Sequence, residues 1–153
     1  MSLVQFADKW GSGDCPPRRV SDAELADVEH QFRIRLPADY RDALLEVGLP
    51  HPAPALVNAI VERKLTLLDP NDFYAPADII KLTLNWREAG MPAELVAFAG
   101  DGCGNQFCFD RDRLAGQAAD SQAVFFWDRE YETVRQVAPS FEAWIEALCE
   151  VEP

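Results

Sequence analysis

The order of patterns along this chain predicts an α+β fold, with helices first, strands in the middle and a closing helix, built on a mostly antiparallel sheet. Three observations carry that expectation. Between Glu94 and Asp110 two apolar runs, Val96 to Ala99 and Phe107 to Phe109, flank Gly100-Asp-Gly-Cys-Gly-Asn105. The glycines and the asparagine supply the positive φ angles that a tight turn needs, so the stretch reads as a β-hairpin. Ala123 to Trp127 and Glu132 to Ala138, separated by Asp128-Arg-Glu-Tyr131, repeat the strand–turn–strand pattern. Around these strands stand segments whose apolar residues recur every three or four positions, several of them opened by capping residues.

Ser2 to Trp10 is the first such segment. Ser2 and Gln5 stand in capping-box spacing, and Leu3, Phe6, Ala7 and Trp10 share a face. Gly11 to Pro17 ends it, because glycines and a Pro-Pro pair favour an irregular loop. Ser21-Asp-Ala-Glu24 is a second capping box, in which the Ser21 side chain accepts the Glu24 N–H and the Glu24 carboxylate accepts the Ser21 N–H near the positive end of the helix dipole. Leu25, Val28 and Phe32 continue that helix to about Phe32. Pro37 suits the first helical position of the next, which presents Tyr40, Ala43, Leu44 and Val47 and meets Gly48 as its C′ residue. With Arg33 to Leu36 as the joint, the pair is expected to run antiparallel.

Leu49-Pro-His-Pro-Ala-Pro54 is expected as an extended loop, and the apolar runs Leu56 to Val61 and Lys64 to Leu68 as short strands. Asp69 to Asp72 reads as a turn. Pro76 to Ala89 reads as a helix with Ile79, Leu82, Thr83 and Trp86 inward and Gly90 at its end. Pro139-Ser140 opens the last helix, where Phe141, Trp144, Ile145 and Leu148 form an apolar stripe and Glu142, Glu146 and Glu150 line another face. Like charges four residues apart on a helix are unfavourable, and no Lys or Arg after Ser140 offsets them, so this face reads equally as solvated or as partner-binding.

A chain of 153 residues, 48% hydrophobic and 26% charged, suits one domain with a substantial core, expected over 1–153 with an N-terminal helix and loop over 1–20 and a core over 21–150. No apolar run approaches the roughly 20 residues of a membrane span. Met1 to Gln5 lacks the basic start and apolar stretch of a signal peptide, so a cytoplasmic location is expected. The net charge of −12 opposes approach to nucleic acid or anionic lipid and attracts a basic partner, while also serving solubility.

Catalytic and ligand-binding motifs find little support. Cys15, Cys103, Cys108 and Cys149 show no C-x-x-C spacing, and His30 and His51 are the only histidines, so neither a metal site nor any cofactor is expected. A Cys103–Cys108 disulfide is disfavoured in a reducing compartment. Cys103 lies beside Asp101, whose charge opposes thiolate formation, which favours a small turn residue over a nucleophile. Gly100-x-Gly102-x-Gly104 runs into a strand pattern rather than a helix, unlike a phosphate-binding loop. The same stretch lacks the alternating oxygens and distant glutamate of a calcium loop. Of the aromatics Phe125, Trp127 and Tyr131, strand position favours core filling over binding.

From Ser21 to Leu148 the chain resembles the SUKH superfamily, also known through the SMI/KNR cell-wall assembly regulators of fungi. The resemblance rests on Ser21-x-x-Glu24-x-x-x-x-Glu29 leading to Leu36-Pro37-x-x-Tyr40 and Gly48, on Glu94 to Asp110, on Val124-x-x-Trp127-Asp128, and on Ser140-Phe141-x-x-Trp144-Ile145. Asn105 departs from the acidic residue common after the glycines, and Leu49 to Pro54 from the usual Gly-rich continuation. The resemblance implies a non-catalytic bacterial immunity protein that binds and occludes a cognate toxin, often a nuclease. A regulatory adaptor for another cellular protein is the alternative, and a small hydrolase using Cys103 a third class. The expected partner is a basic toxin, engaged by Asp101, Asp128, Glu130, Tyr131 and Glu132 around the two hairpin turns.

Overall fold

The computed structural model describes residues 2–65, 68–115 and 120–153. In chain order the elements are α1 (Ser2–Trp10), α2 (Asp22–Phe32), α3 (Ala38–Glu46), α4 (Pro54–Glu62), β1 (Asp72–Phe73), α5 (Pro76–Glu88), β2 (Leu95–Gly100), β3 (Gln106–Asp110), α6 (Arg111–Leu114), β4 (Val124–Asp128), β5 (Thr133–Ala138) and α7 (Phe141–Cys149). The strands form a five-stranded sheet in the order β1-β2-β3-β4-β5, every pair antiparallel. The expected α+β fold on an antiparallel sheet is therefore what the chain adopts.

Strand alternation gives the sheet two faces, and both are covered at the centre, where every residue of β2 is buried. One face carries Phe98, Phe107, Phe109 and Phe126 against α1, α3 and α7. Tyr40 meets Phe98, Phe109 and Phe141 edge-on at 5.1–5.4 Å, and Phe98 stacks on Phe109 at 4.3 Å. Edge-on and offset rings match the aromatic quadrupole and add to the area they bury. The other face packs on α5, where Trp86 meets Trp127 at 5.7 Å and the Arg87 guanidinium lies 5.0 Å over Phe32 of α2. Helix α1 joins the first layer by packing along α7. Leu3, Phe6 and Trp10 are buried, and the Trp10 indole N–H donates to Leu148 O at 3.0 Å.

A bulge interrupts β2 between Ala97 and Ala99. Bulges leave a residue outside the ladder, here Phe98, and beside it Thr83 of α5 holds the strand: Thr83 Oγ1 accepts the Ala97 N–H at 3.0 Å although the side chain is wholly buried. Thr83 is thus inward for a polar reason.

The second capping box forms as the sequence dictates, with Glu24 N donating to Ser21 Oγ and Ser21 N to Glu24 Oε1. Ser140 likewise caps α7, accepting from Ala143 N. Gly48 takes φ +98° just past α3. Other expectations are corrected. Leu56 to Val61 lies in α4, not in a strand: Pro54, read as loop, is pre-organised for the first helical turn and opens a helix that buries Leu56, Ala59 and Ile60. Within the expected strand Lys64 to Leu68, residues 66 and 67 lie outside the described residues, and Lys64 is in a left-handed turn at φ +54°. Asp69 to Asp72 is not only a turn, because Asp72 pairs with Gly100 to begin β1. Ser2 lies inside α1, where its N–H donates to Glu142 of α7 at 3.1 Å instead of entering a box with Gln5. Helix α2 packs on α5 and α3 on α7, and the two helices are joined directly, Arg41 of α3 pairing with Asp22 and Glu29 of α2.

Candidate partner-binding site at the hairpin tips

The β2–β3 and β4–β5 turns emerge from the same end of the sheet, since Gly100 pairs with Gln106, Gln106 with Trp127, and Asp128 with Thr133. Asp72 of β1 pairs with Gly100 at that end as well. Asp101, Asp128, Glu130, Tyr131 and Glu132 are thereby brought together on one rim.

Their side chains divide into two kinds. Asp101 is half-buried and builds its own turn, Oδ1 accepting from Cys103 N at 2.8 Å and Asn105 N at 3.2 Å, and Oδ2 from Asn105 Nδ2 at 2.9 Å. Gly102 and Gly104 complete the turn at φ +83° and +92°, a region in which other residues are strained. Asp128 Oδ1 accepts from Glu130 N at 3.0 Å and Tyr131 N at 3.1 Å, a local cap that Asp forms readily. Glu130, Tyr131 and Glu132 project outward, and Tyr131 is 73% exposed.

Asn105 joins the two turns. Its Nδ2 donates to Asp101, while its Oδ1 accepts the Arg129 N–H at 2.9 Å across the gap to the β4–β5 tip. Only a group that donates and accepts at once satisfies both neighbours, and a carboxamide is such a group. Beneath the tip, the Tyr74 hydroxyl donates to Gln106 Oε1 at 2.6 Å and Gln106 Nε2 donates to Gly104 O at 3.1 Å. Burial pushes the Tyr74 phenol up to about 12, so the donor keeps its proton at neutral pH. A Cβ on Gly100 would overlap that hydroxyl, which explains a glycine at the end of β2. The Arg129 guanidinium covers the Trp86 ring at 5.5 Å.

The rim is negative. Burial holds the Asp69 and Asp72 carboxyls above the usual aspartate range, reinforced at Asp69 by the charge of Asp101 and at Asp72 by that of Asp78. Arg129 and Arg135 oppose these groups without balancing them. On α7 the glutamates have separate duties. Glu142 caps the start of α1 through Ser2, and its own N–H donates to Asp39 Oδ2 at 3.1 Å, while Glu146 and Glu150 are exposed. Burial also raises the Asp39 carboxyl, as does the charge of Glu142.

Cys15, Cys103, Cys108 and Cys149 are all free thiols, and burial drives the Cys108 thiol far above its ordinary range. Among the described residues no cluster of His, Cys, Asp and Glu is arranged to hold a metal ion, and no helix is long and apolar enough to cross a membrane. The roles of Asn105, Asp69 and Arg129 escaped the sequence reading. The donor–acceptor demand on Asn105 follows from a contact between turns more than twenty residues apart, and only the pairing of β3 with β4 creates it.

The architecture is that of an α+β domain whose polar loops gather at one end of an antiparallel meander. The chain belongs to the SMI1/KNR4 family (SUKH-1), which matches it over residues 19–147. Helix α1 precedes the matched segment yet is packed into the core. Among solved structures, a crystal structure of a protein from Pseudomonas syringae pv. tomato superposes with a TM-score of 0.55 at 18% identity, covering 95% of this chain and 93% of the other. That likeness extends to the fold. No curated protein matches the sequence.

Proposed function

We propose that the chain is a non-enzymatic immunity protein that binds a basic bacterial toxin domain, such as a nuclease, and blocks it by occlusion in the cytoplasm. One observation carries the reading: in a SUKH-1 chain of net charge −12, exposed carboxylates and an exposed tyrosine converge on adjoining hairpin tips. A negative rim speeds encounter with a cationic surface, and Tyr131 offers the kind of aromatic anchor on which interface energy concentrates.

The test is binding and neutralisation of the product of the adjacent toxin gene across a salt series. Affinity is expected to fall with salt, mainly through the association rate. Glu130→Lys combined with Glu132→Lys is expected to slow association further without unfolding the chain, since both side chains are exposed. Absence of binding, or an affinity indifferent to salt and to this double variant, would sink the reading.

A further inference from the structure

Between the hairpin tips lies a depression of about 320 Å³. Phe126 and Leu68 give its lining an apolar part, Asp101, Asn105 and Asp128 an acidic and amide part, and Thr133 and Arg135 of β5 complete it, paired with Asp128 and Phe126 of β4. We infer that this cleft receives one arginine or lysine side chain of a basic protein partner, its methylenes on Phe126 and Leu68 and its charge beside Asp128 and Asp101. The identity of the partner rests on the immunity reading, whereas the choice of side chain rests on the cleft alone.

Size limits the occupant. Sites for small molecules run from roughly 300 to 1,000 Å³, and at about 320 Å³ this cleft is at the small end of that range, with room for one long side chain. Chemistry narrows it further. Long cationic side chains bury their stems on apolar surface while their heads stay polar, and a lining that is part apolar and part acidic suits both. The β4–β5 turn amides both bond Asp128 Oδ1, which leaves Oδ2 for an incoming N–H in a charge-assisted bond. Asp101 and Asp69 already repel one another beside the cleft, and a cation relieves that repulsion. Asn105 fixes the part formed by two different turns, so the arrangement exists before the partner arrives. Arg135 shares the cleft and weakens its negative potential, so its removal has a distinctive sign.

The experiment titrates the full chain with N-acetyl-arginine amide and with its neutral isostere N-acetyl-citrulline amide, following backbone amide NMR shifts. Saturable shifts centred on Asn105, Asp128 and Thr133 are expected for the arginine compound alone. Arg135→Gln should tighten this binding severalfold, which damage to the fold would not do. Thr133→Lys puts the chain's own cation in the cleft from an exposed strand position and should abolish it. Shifts spread over the acidic surface without saturation, equal binding of the citrulline compound, or weakening by Arg135→Gln would overturn the inference. With a toxin that binds the natural chain, Thr133→Lys is expected to cost roughly tenfold or more in affinity, as truncation at an interface hot spot does. Unchanged affinity would overturn the cleft as the partner's anchor and leave the immunity reading intact. Arginine binding without any toxin binding would support the cleft and overturn that reading.

Discussion

Asn105→Asp exchanges one NH₂ group for an oxygen and is expected to destabilise the β2–β3 turn at neutral pH. The Nδ2 donor that reaches Asp101 Oδ2 at 2.9 Å is lost, and a hydrogen bond to a charged group contributes roughly 1.5–3 kcal/mol. A second carboxylate then faces the first. With charge centres about 4 Å apart the repulsion is about 1 kcal/mol in water and about 4 kcal/mol at the effective dielectric near a protein surface. Both residues are half-exposed, so the lower part of that range applies, and the combined deficit is about 2.5–4 kcal/mol. The bond from Arg129 N survives, because the new group still accepts.

The pH dependence gives the sign. The introduced carboxyl faces Asp101, so its folded-state pKa lies above the unfolded value of about 3.9. A raised carboxyl favours the folded state below the unfolded pKa and loses that contribution as pH rises through the folded pKa. The deficit is therefore full at about pH 7 and shrinks toward about pH 4, where a protonated carboxyl donates to Asp101 again. Urea midpoints of variant and natural chain should converge on acidification, and amide exchange at Arg129 should slow in parallel. Asn105→Ala, which loses both bonds without adding charge, should show a deficit that acid does not repair. Equal deficits at both pH values for Asn105→Asp would refute this pairing with Asp101.

Other outcomes follow from single contacts. Thr83→Val strands the Ala97 N–H at the β2 bulge and should destabilise by about 1–3 kcal/mol in urea unfolding, whereas Thr83→Ser keeps the bond and should lose less. Tyr40→Phe should be neutral or stabilising by the same measure, because the Tyr40 hydroxyl is buried with no hydrogen-bond partner among the described residues. Burial raises the carboxyls of Asp39, Asp69 and Asp72, so the stability they contribute is present at low pH and lost as pH rises through their folded pKa values. Their contribution to the melting temperature should accordingly be greatest below about pH 4 and fall on neutralisation, so replacing the three by Asn should cost more at acid than at neutral pH, and the reverse order would contradict these environments.

Much of the fold was legible because local chemistry and tertiary demand agree. Ser21 with Glu24, Ser140, and the glycines from 100 to 104 each satisfy neighbours only a few residues away, so their roles are written in the sequence. The failures have one physical source. Leu56 to Val61 is an apolar run of strand length, and periodicity alone does not separate a buried strand from a short buried helix; the deciding residue was Pro54 at the first helical position. Helix α6 escaped notice although Asp110 caps it through Asp112 N at 2.9 Å, because four residues carry no periodicity. Glu142 resembled its exposed neighbours on α7, and its use as a cap for α1 depends on packing between the two ends of the chain.

The same distinction governs how the tip residues should be tested. Asp101 and Asp128 are expected as contacts from their charge and their place in the hairpin turns, but their oxygens hold turn amides. A loss of binding in Asp101→Ala would therefore mix lost charge with a rearranged loop. Glu130 and Glu132 are exposed, and their removal reports the field with little else. If the rim acts by electrostatic steering, Glu130→Gln with Glu132→Gln should lower the association rate and flatten its dependence on salt while the dissociation rate stays nearly constant. Asp101→Ala should instead raise the dissociation rate, with a salt dependence close to that of the natural chain, because it disorders a preformed surface. Identical kinetic signatures for the two variants would mean that Asp101 acts as one more surface charge and that the turn it builds is irrelevant to the partner.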